Sequence, residues 1–279
     1  MFLPQASFTR WPRRRVLQFA GLAVSAPAWS FAGDVPSSTE HAGSAVNRSP
    51  LSDGFPTQPP ELAREMVRVS HFDLKRVQQL VEARPSLARA VWDWGFGDWE
   101  SALGAASHMG NRPIAEYLIS KGARPSLFSA AMLGHLEVVR AFVAAQPGVQ
   151  RIRGPHSISL LAHSQAGGEA ARPVYDFLQS LGDAGSDAPA PLSQADLDAI
   201  VGEYPFAAAP NDCVDVTAEK NNVTWTRRGT MGRPLFHLGD RVFYPLGASA
   251  VRIQFTVRSS ETSMTVHDPN IVLTAARKS

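Results

Sequence analysis

Leu127-Phe-Ser-Ala-Ala-Met-Leu-Gly-His-Leu-Glu-Val-Val-Arg-Ala-Phe-Val-Ala144 is the stretch whose reading decides the fold. A short Ala-rich segment stops at Gly134, a residue that closes helices without a Cβ penalty, and a second segment starts at once at His135. Val138, Val139, Phe142 and Val143 recur there at helical spacing, so they form one stripe that must be buried on a neighbour. The unit is a helix, a tight turn and a helix.

Weaker copies lie on both sides. With the turns superposed, Asp73, Asn111 and His135 share a column. The second helices then read Leu74-x-x-Val77-x-x-Leu80-Val81 and Ile114-Ala115-x-x-Leu118-Ile119, with a further copy at Val174-x-x-Phe177-Leu178. The first helices are shorter and rich in small residues, at Leu103-Gly-Ala-Ala-Ser107, Leu127-Phe-Ser-Ala-Ala131 and Leu160-Leu-Ala-His-Ser164. Small side chains let neighbouring helices approach closely.

The interval from Gly134 to Gly167 is 33 residues. That spacing and the paired helices resemble the ankyrin-repeat family over residues 61–184. The resemblance implies a stack of about four repeats that binds proteins through its fingers and inner helices. The chain departs from the family's Thr-Pro-Leu-His signature, with Ser101-Ala-Leu-Gly104 in one copy, and Phe72 stands where a turn glycine is usual. Gly110 to Gly134 is only 24 residues, so one projecting finger is missing; Asp73 to Asn111 is 38, so the preceding finger is enlarged.

That enlarged finger carries the candidate partner-binding residues Trp92, Asp93, Trp94, Phe96, Asp98, Trp99 and Glu100. Its aromatic rings offer large contact area of the kind that anchors interfaces. The competing reading folds those rings back over the first helix pair, in place of a missing repeat. Trp94→Ala and Trp99→Ala separate the two.

Pro and Gly thicken at 185–192, and Ser193 caps a short helix over Gln194–Val201. Beyond Gly202 the period changes from 3.6 to 2, as in Cys213-Val-Asp-Val-Thr217 and Val251-Arg-Ile-Gln-Phe-Thr-Val257. Residues 193–279 are read as a small antiparallel β-barrel or curled sheet. Leu197-x-x-Ile-Val-Gly-Glu-Tyr204 and Gly239-Asp-x-x-Phe243-x-Pro245 are similar to a β-domain that follows many secreted beta-lactamase-like hydrolases. The resemblance implies a lipocalin-like accessory barrel without catalytic residues, its interior either filled by side chains or open to a small ligand. The predicted fold class is thus α+β multidomain, a helical ankyrin-type solenoid followed by this β-domain.

Residues 1–32 are set apart as an export signal, and 33–60, rich in Ser, Pro and Gly, as a flexible linker. Arg13-Arg14 followed by Val16-Leu17 and an apolar run resembles a twin-arginine signal, which implies delivery to the periplasm; an ordinary secretory signal is the alternative. Gln18 departs from the Lys often found at the end of that motif.

The chemistry expected is binding without catalysis. The net charge of +2 excludes a broad nucleic-acid face, and a single cysteine, Cys213, excludes an internal disulfide. No Gly-x-Ser-x-Gly elbow, Ser-x-x-Lys pair or His-Glu-x-x-His helix occurs. His108, His135, His156 and His163 stand at no i, i+3 or i+4 spacing with an acid, so neither a metal nor a cofactor is expected. Expected instead is a partner protein on the repeats, with a small-molecule carrier or sensor using the β-domain as the alternative, and no stable membrane anchor after signal cleavage.

Overall fold

The computed structural model describes Gly54 and residues 56–279, except 186, 221, 260 and 279. The expected export signal at 1–32 and most of the linker at 33–60 lie outside the described residues. The described chain is α+β: helices come first, and an eight-stranded antiparallel sheet follows.

Eight helices form four successive pairs: α1 (Pro60–Val69) with α2 (Leu74–Ala83), α3 (Ala102–His108) with α4 (Arg112–Ser120), α5 (Leu127–Leu133) with α6 (Leu136–Ala145), and α7 (Leu160–Ala166) with α8 (Arg172–Ser180). Local chemistry explains where they begin. Asp73 accepts from Arg76 N at 2.9 Å and Asn111 from Ile114 N at 3.4 Å, so the shared column marks helix caps. Ser126 and Ser129 form a reciprocal capping box on α5.

Most of the apolar stripe residues are buried, whereas on α6 Val139 is buried and Val138 and Phe142 stay exposed. Met66, Val77, Ile114, Leu118 and Met132 are solvent-free in one core, and Val139, Leu160, Val174 and Leu178 in a second. The first helices pack on one another, α1 on α3, α3 on α5, and α5 on α7, while α3 also touches α7. Glycine makes this closeness possible. Gly134 has φ +80°, and a Cβ there would stand 2.1 Å from the Ala170 carbonyl oxygen. A Cβ on Gly167 would stand 2.0 Å from that of Met132.

The enlarged finger is a hairpin, β1 (Val91–Asp93) with β2 (Trp99–Ser101), in which Trp92 pairs with Glu100. Helix α9 (Gln194–Ile200) then leads into the large sheet: β3 (Gly202–Pro205), β4 (Cys213–Glu219), β5 (Asn222–Arg227), β6 (Arg233–Gly239), β7 (Val242–Pro245), β8 (Arg252–Arg258), β9 (Glu261–Asp268) and β10 (Ile271–Ala276). Strand order follows chain order throughout. Lys278 N donates to Glu203 O at 2.8 Å beside β3, so the sheet nearly closes into a barrel. Its middle is filled by Tyr204, Phe243, Ile253, Phe255 and Met264, all essentially solvent-free, as suits a barrel of this strand number. Leu197 and Ile200 of α9 belong to the same core, at the end that bears the β4–β5 turn.

No helix among the described residues is long and apolar enough to cross a membrane. The helical and β parts belong to one compact unit.

Candidate functional site

Two features meet where the finger touches the barrel: an apolar cavity at the barrel mouth, and a buried cluster of histidines and carboxylates behind it.

The finger tip is Trp94-Gly95-Phe96-Gly97. Gly95, Phe96 and Gly97 all have positive φ, at 116°, 59° and 78°. For Phe96 that is a strained backbone, held because its ring is driven into the barrel. The ring lies edge-on to Trp225 of β5 at 5.4 Å and packs on the barrel core. A cavity of about 570 Å³ opens here, at the end with the β5–β6 turn, lined by Trp94, Phe96, Phe206, Trp225, Met231 and Leu273, with Arg227 and Arg233 among the apolar groups. Two donors of lining residues, Trp225 Nε1 and Arg233 Nε, are buried without a hydrogen-bond partner.

Behind the tip the chain turns inward. Asp98 is 2% exposed and Glu100 fully buried. The Asp98 carboxylate accepts from His156 N at 2.9 Å, His156 Nδ1 at 2.7 Å and Arg233 Nη2 at 2.8 Å. It therefore binds the α6–α7 connection on one side and strand β6 on the other. His156 and Ser157 both hold left-handed backbone, φ 58° and 60°, which this double grip stabilises. Ser157 Oγ in turn accepts from Gly247 N at 2.7 Å.

Glu100 is ringed by histidines. His71 Nε2 and His156 Nε2 each lie 3.5 Å from its Oε2, and His108 Nδ1 lies 3.0 Å from Oε1. Trp94 Nε1 donates to Oε2 at 2.7 Å. The His108 contact is close but out of hydrogen-bond alignment, and both of its atoms are buried without another partner. Burial pushes the Glu100 carboxyl upward, but His108 and His156 outweigh it and hold it down at about 2. Burial likewise lowers His156, yet Asp98 and Glu100 raise it to about 9. For Asp98, burial acts upward and is overcome by His156 and Arg233, leaving it lowered. His71 is lowered chiefly by burial, with Glu100 opposing. His163, solvent-free and bonded through Nδ1 to Ser159 O, is pulled by burial to about 4.

The seven residues nominated on the finger separate in space. Asp98 and Glu100 face inward, Phe96 enters the barrel mouth, and Trp92 and Trp94 pack against the first helical core. Asp93 is partly buried, its carboxylate accepting from Gly95 N at 2.8 Å. Trp99 alone of the seven is exposed, at 62%.

Reading the sequence for local spacing missed the meeting of His71, Glu100, His108 and His156. A signal was present: His71 and His108 both precede the column of caps by two or three residues.

Among the described residues, two groups have metal-ligating geometry: His71, Glu100 and His156; and Glu203, Cys213 and Asp215. In the second, Arg228 already binds Asp215 at 2.8 and 3.0 Å and Glu203 at 2.9 Å, so its carboxylates are neutralised. The hydroxyls near the histidines are engaged elsewhere, Ser157 by Gly247 N and Ser159 by Ala162 N. No hydroxyl–histidine hydrogen bond occurs among the described residues.

No family model matches the chain, and no curated protein matches it.

Proposed function

We propose that this protein is a non-catalytic carrier or sensor for a small molecule with an apolar body and a hydrogen-bond-accepting head, held at the mouth of the β-barrel. The observation that carries the reading is the cavity itself. Aromatic and aliphatic side chains line it, with Arg227 and Arg233 among them. Ligand sites combine apolar walls with a few placed polar groups of this kind.

The probe 1-anilinonaphthalene-8-sulfonate has this chemistry, fused rings and an anionic head. We expect one equivalent to bind the full chain with enhanced fluorescence, and Phe96→Ala and Trp225→Ala to weaken it at least tenfold. Unchanged affinity in both variants, with the far-ultraviolet dichroism preserved, sinks the reading.

A second reading has its own support. Val138 and Phe142 on α6 are 43% and 47% exposed, and only Val139 of that helix is fully buried. An ankyrin-type stack presenting this surface, together with Trp99 of the finger, would dock a partner protein. The row of first helices supports such a stack, although the contact of α3 with α7 departs from strictly nearest-neighbour packing. Both readings place the protein in the periplasm, on the strength of Arg13-Arg14 and the apolar run after them. Export of a reporter fused to residues 1–35 should stop when both arginines become lysine.

A further inference from the structure

We infer that His71 Nε2, His156 Nε2 and the Glu100 carboxylate, with His108 beside them, bind a divalent transition-metal ion of zinc's type. This goes beyond the ligand site proposed above and does not depend on it.

The partners of each ring fix where its hydrogen sits. His71 Nδ1 lies 3.1 Å from Val67 O and 3.0 Å from Arg68 O. Carbonyls only accept, so Nδ1 carries the hydrogen. His156 Nδ1 lies 2.7 Å from Asp98 Oδ2, a carboxylate oxygen, which assigns its hydrogen in the same way. Nε2 is then the nitrogen each ring turns toward Glu100 Oε2, at 3.5 Å in both, and an ion would take the place of any proton held there. The three ligand atoms lie within 4.8 Å of one another around a fully buried carboxylate, close enough to share one ion. His108 Nδ1, 3.0 Å from Oε1 and unaligned for a hydrogen bond, lies beside this group and outside it.

The spacing suits an ion. Tetrahedral ligands about 2.0–2.1 Å from zinc stand roughly 3.3 Å apart, and the two Nε2 atoms here each lie 3.5 Å from Glu100 Oε2. Imidazole nitrogens with one carboxylate favour zinc and its transition-metal neighbours over magnesium or calcium. The outer partners are also in place. Backbone carbonyls orient His71, Asp98 orients His156, and Trp94 Nε1 orients Glu100. Such partners fix tautomer and ring direction at metal sites. Because Asp98 also binds Arg233, the ion would brace the contact between finger and barrel.

The test uses the full, untagged chain, stripped with a chelator and titrated with cobalt(II) and zinc(II). We expect one equivalent to bind, ligand-field absorption of tetrahedral intensity with cobalt, and a melting temperature raised by zinc. His71→Asn keeps an N–H donor for the carbonyls and removes Nε2. His156→Asn keeps a donor for Asp98, and asparagine tolerates the left-handed backbone. Each should fold, by circular dichroism, and lose at least tenfold in affinity, whereas Asp215→Asn should lose nothing. If the folded wild-type chain takes up no ion at micromolar zinc, protons alone hold the cluster and the inference is wrong. It is equally wrong if both asparagine variants bind as tightly as wild type, or if Asp215→Asn abolishes binding.

Discussion

Gly247 shows how little room the junction leaves. Its φ is +90°, and a Cβ would fall 2.2 Å from Asp98 Cγ. Alanine there would adopt a backbone costing about 1–2 kcal/mol and push Asp98 off Arg233 and His156. We expect Gly247→Ala to lower the unfolding free energy by at least about 2 kcal/mol in urea titration; a change below about 0.5 kcal/mol would mean the contact is slack. His163 makes a pH prediction. Its folded pKa is depressed from 6.5 to about 4 by burial, so the unfolded chain binds the proton more readily. The associated stability is complete above pH 6.5 and declines as the pH falls toward 4. The slope should be about 1.4 kcal/mol per pH unit, roughly 3 kcal/mol in all. His163→Gln should remove one proton's worth of that slope in denaturation curves measured from pH 7 to 4.

At the scale of elements, helices and strands were legible because their signals are local. Asp73, Asn111, Ser126, Ser159 and Ser193 each accept a backbone N–H at a helix start, and the stripes at Val77, Leu118, Val139 and Leu178 are buried. The period-2 segments at 213–217 and 252–257 likewise fall in strands β4 and β8. The finger was harder. Composition marked it as unusual, but not which ring turned inward. Trp94 packs on the helical core and donates to buried Glu100, while Trp99 is 62% exposed. Trp94→Ala should therefore cost about 2–3 kcal/mol and Trp99→Ala less than about 0.5 kcal/mol, read from paired thermal melts. Equal losses would contradict this arrangement.

For the whole molecule, the finger-to-barrel contact should couple the two parts. Asp98 with Arg233, Phe96 with Trp225 and Ser157 with Gly247 each join residues far apart in the chain. We expect helix loss, followed at 222 nm, and tryptophan fluorescence to report one coincident thermal transition. Asp98→Asn, which leaves Arg233 without its buried carboxylate, should lower it and begin to split it. Two resolved transitions in the wild type would show the halves to be independent.

By itself, the sequence determined the helix pairs, the change to β-structure near Gly202, and the odd lengths of two intervals, because caps and periodicity act over a few residues. It also showed a finger crowded with tryptophan. Only the tertiary structure decided what that finger meets. His71, Glu100, His108 and His156 lie far apart along the chain, and it is the packing of α1 and α7 on α3 that draws them together. Such a cluster depends on helix approach distances and on the proton held by each ring nitrogen, neither of which has any fixed spacing in the chain.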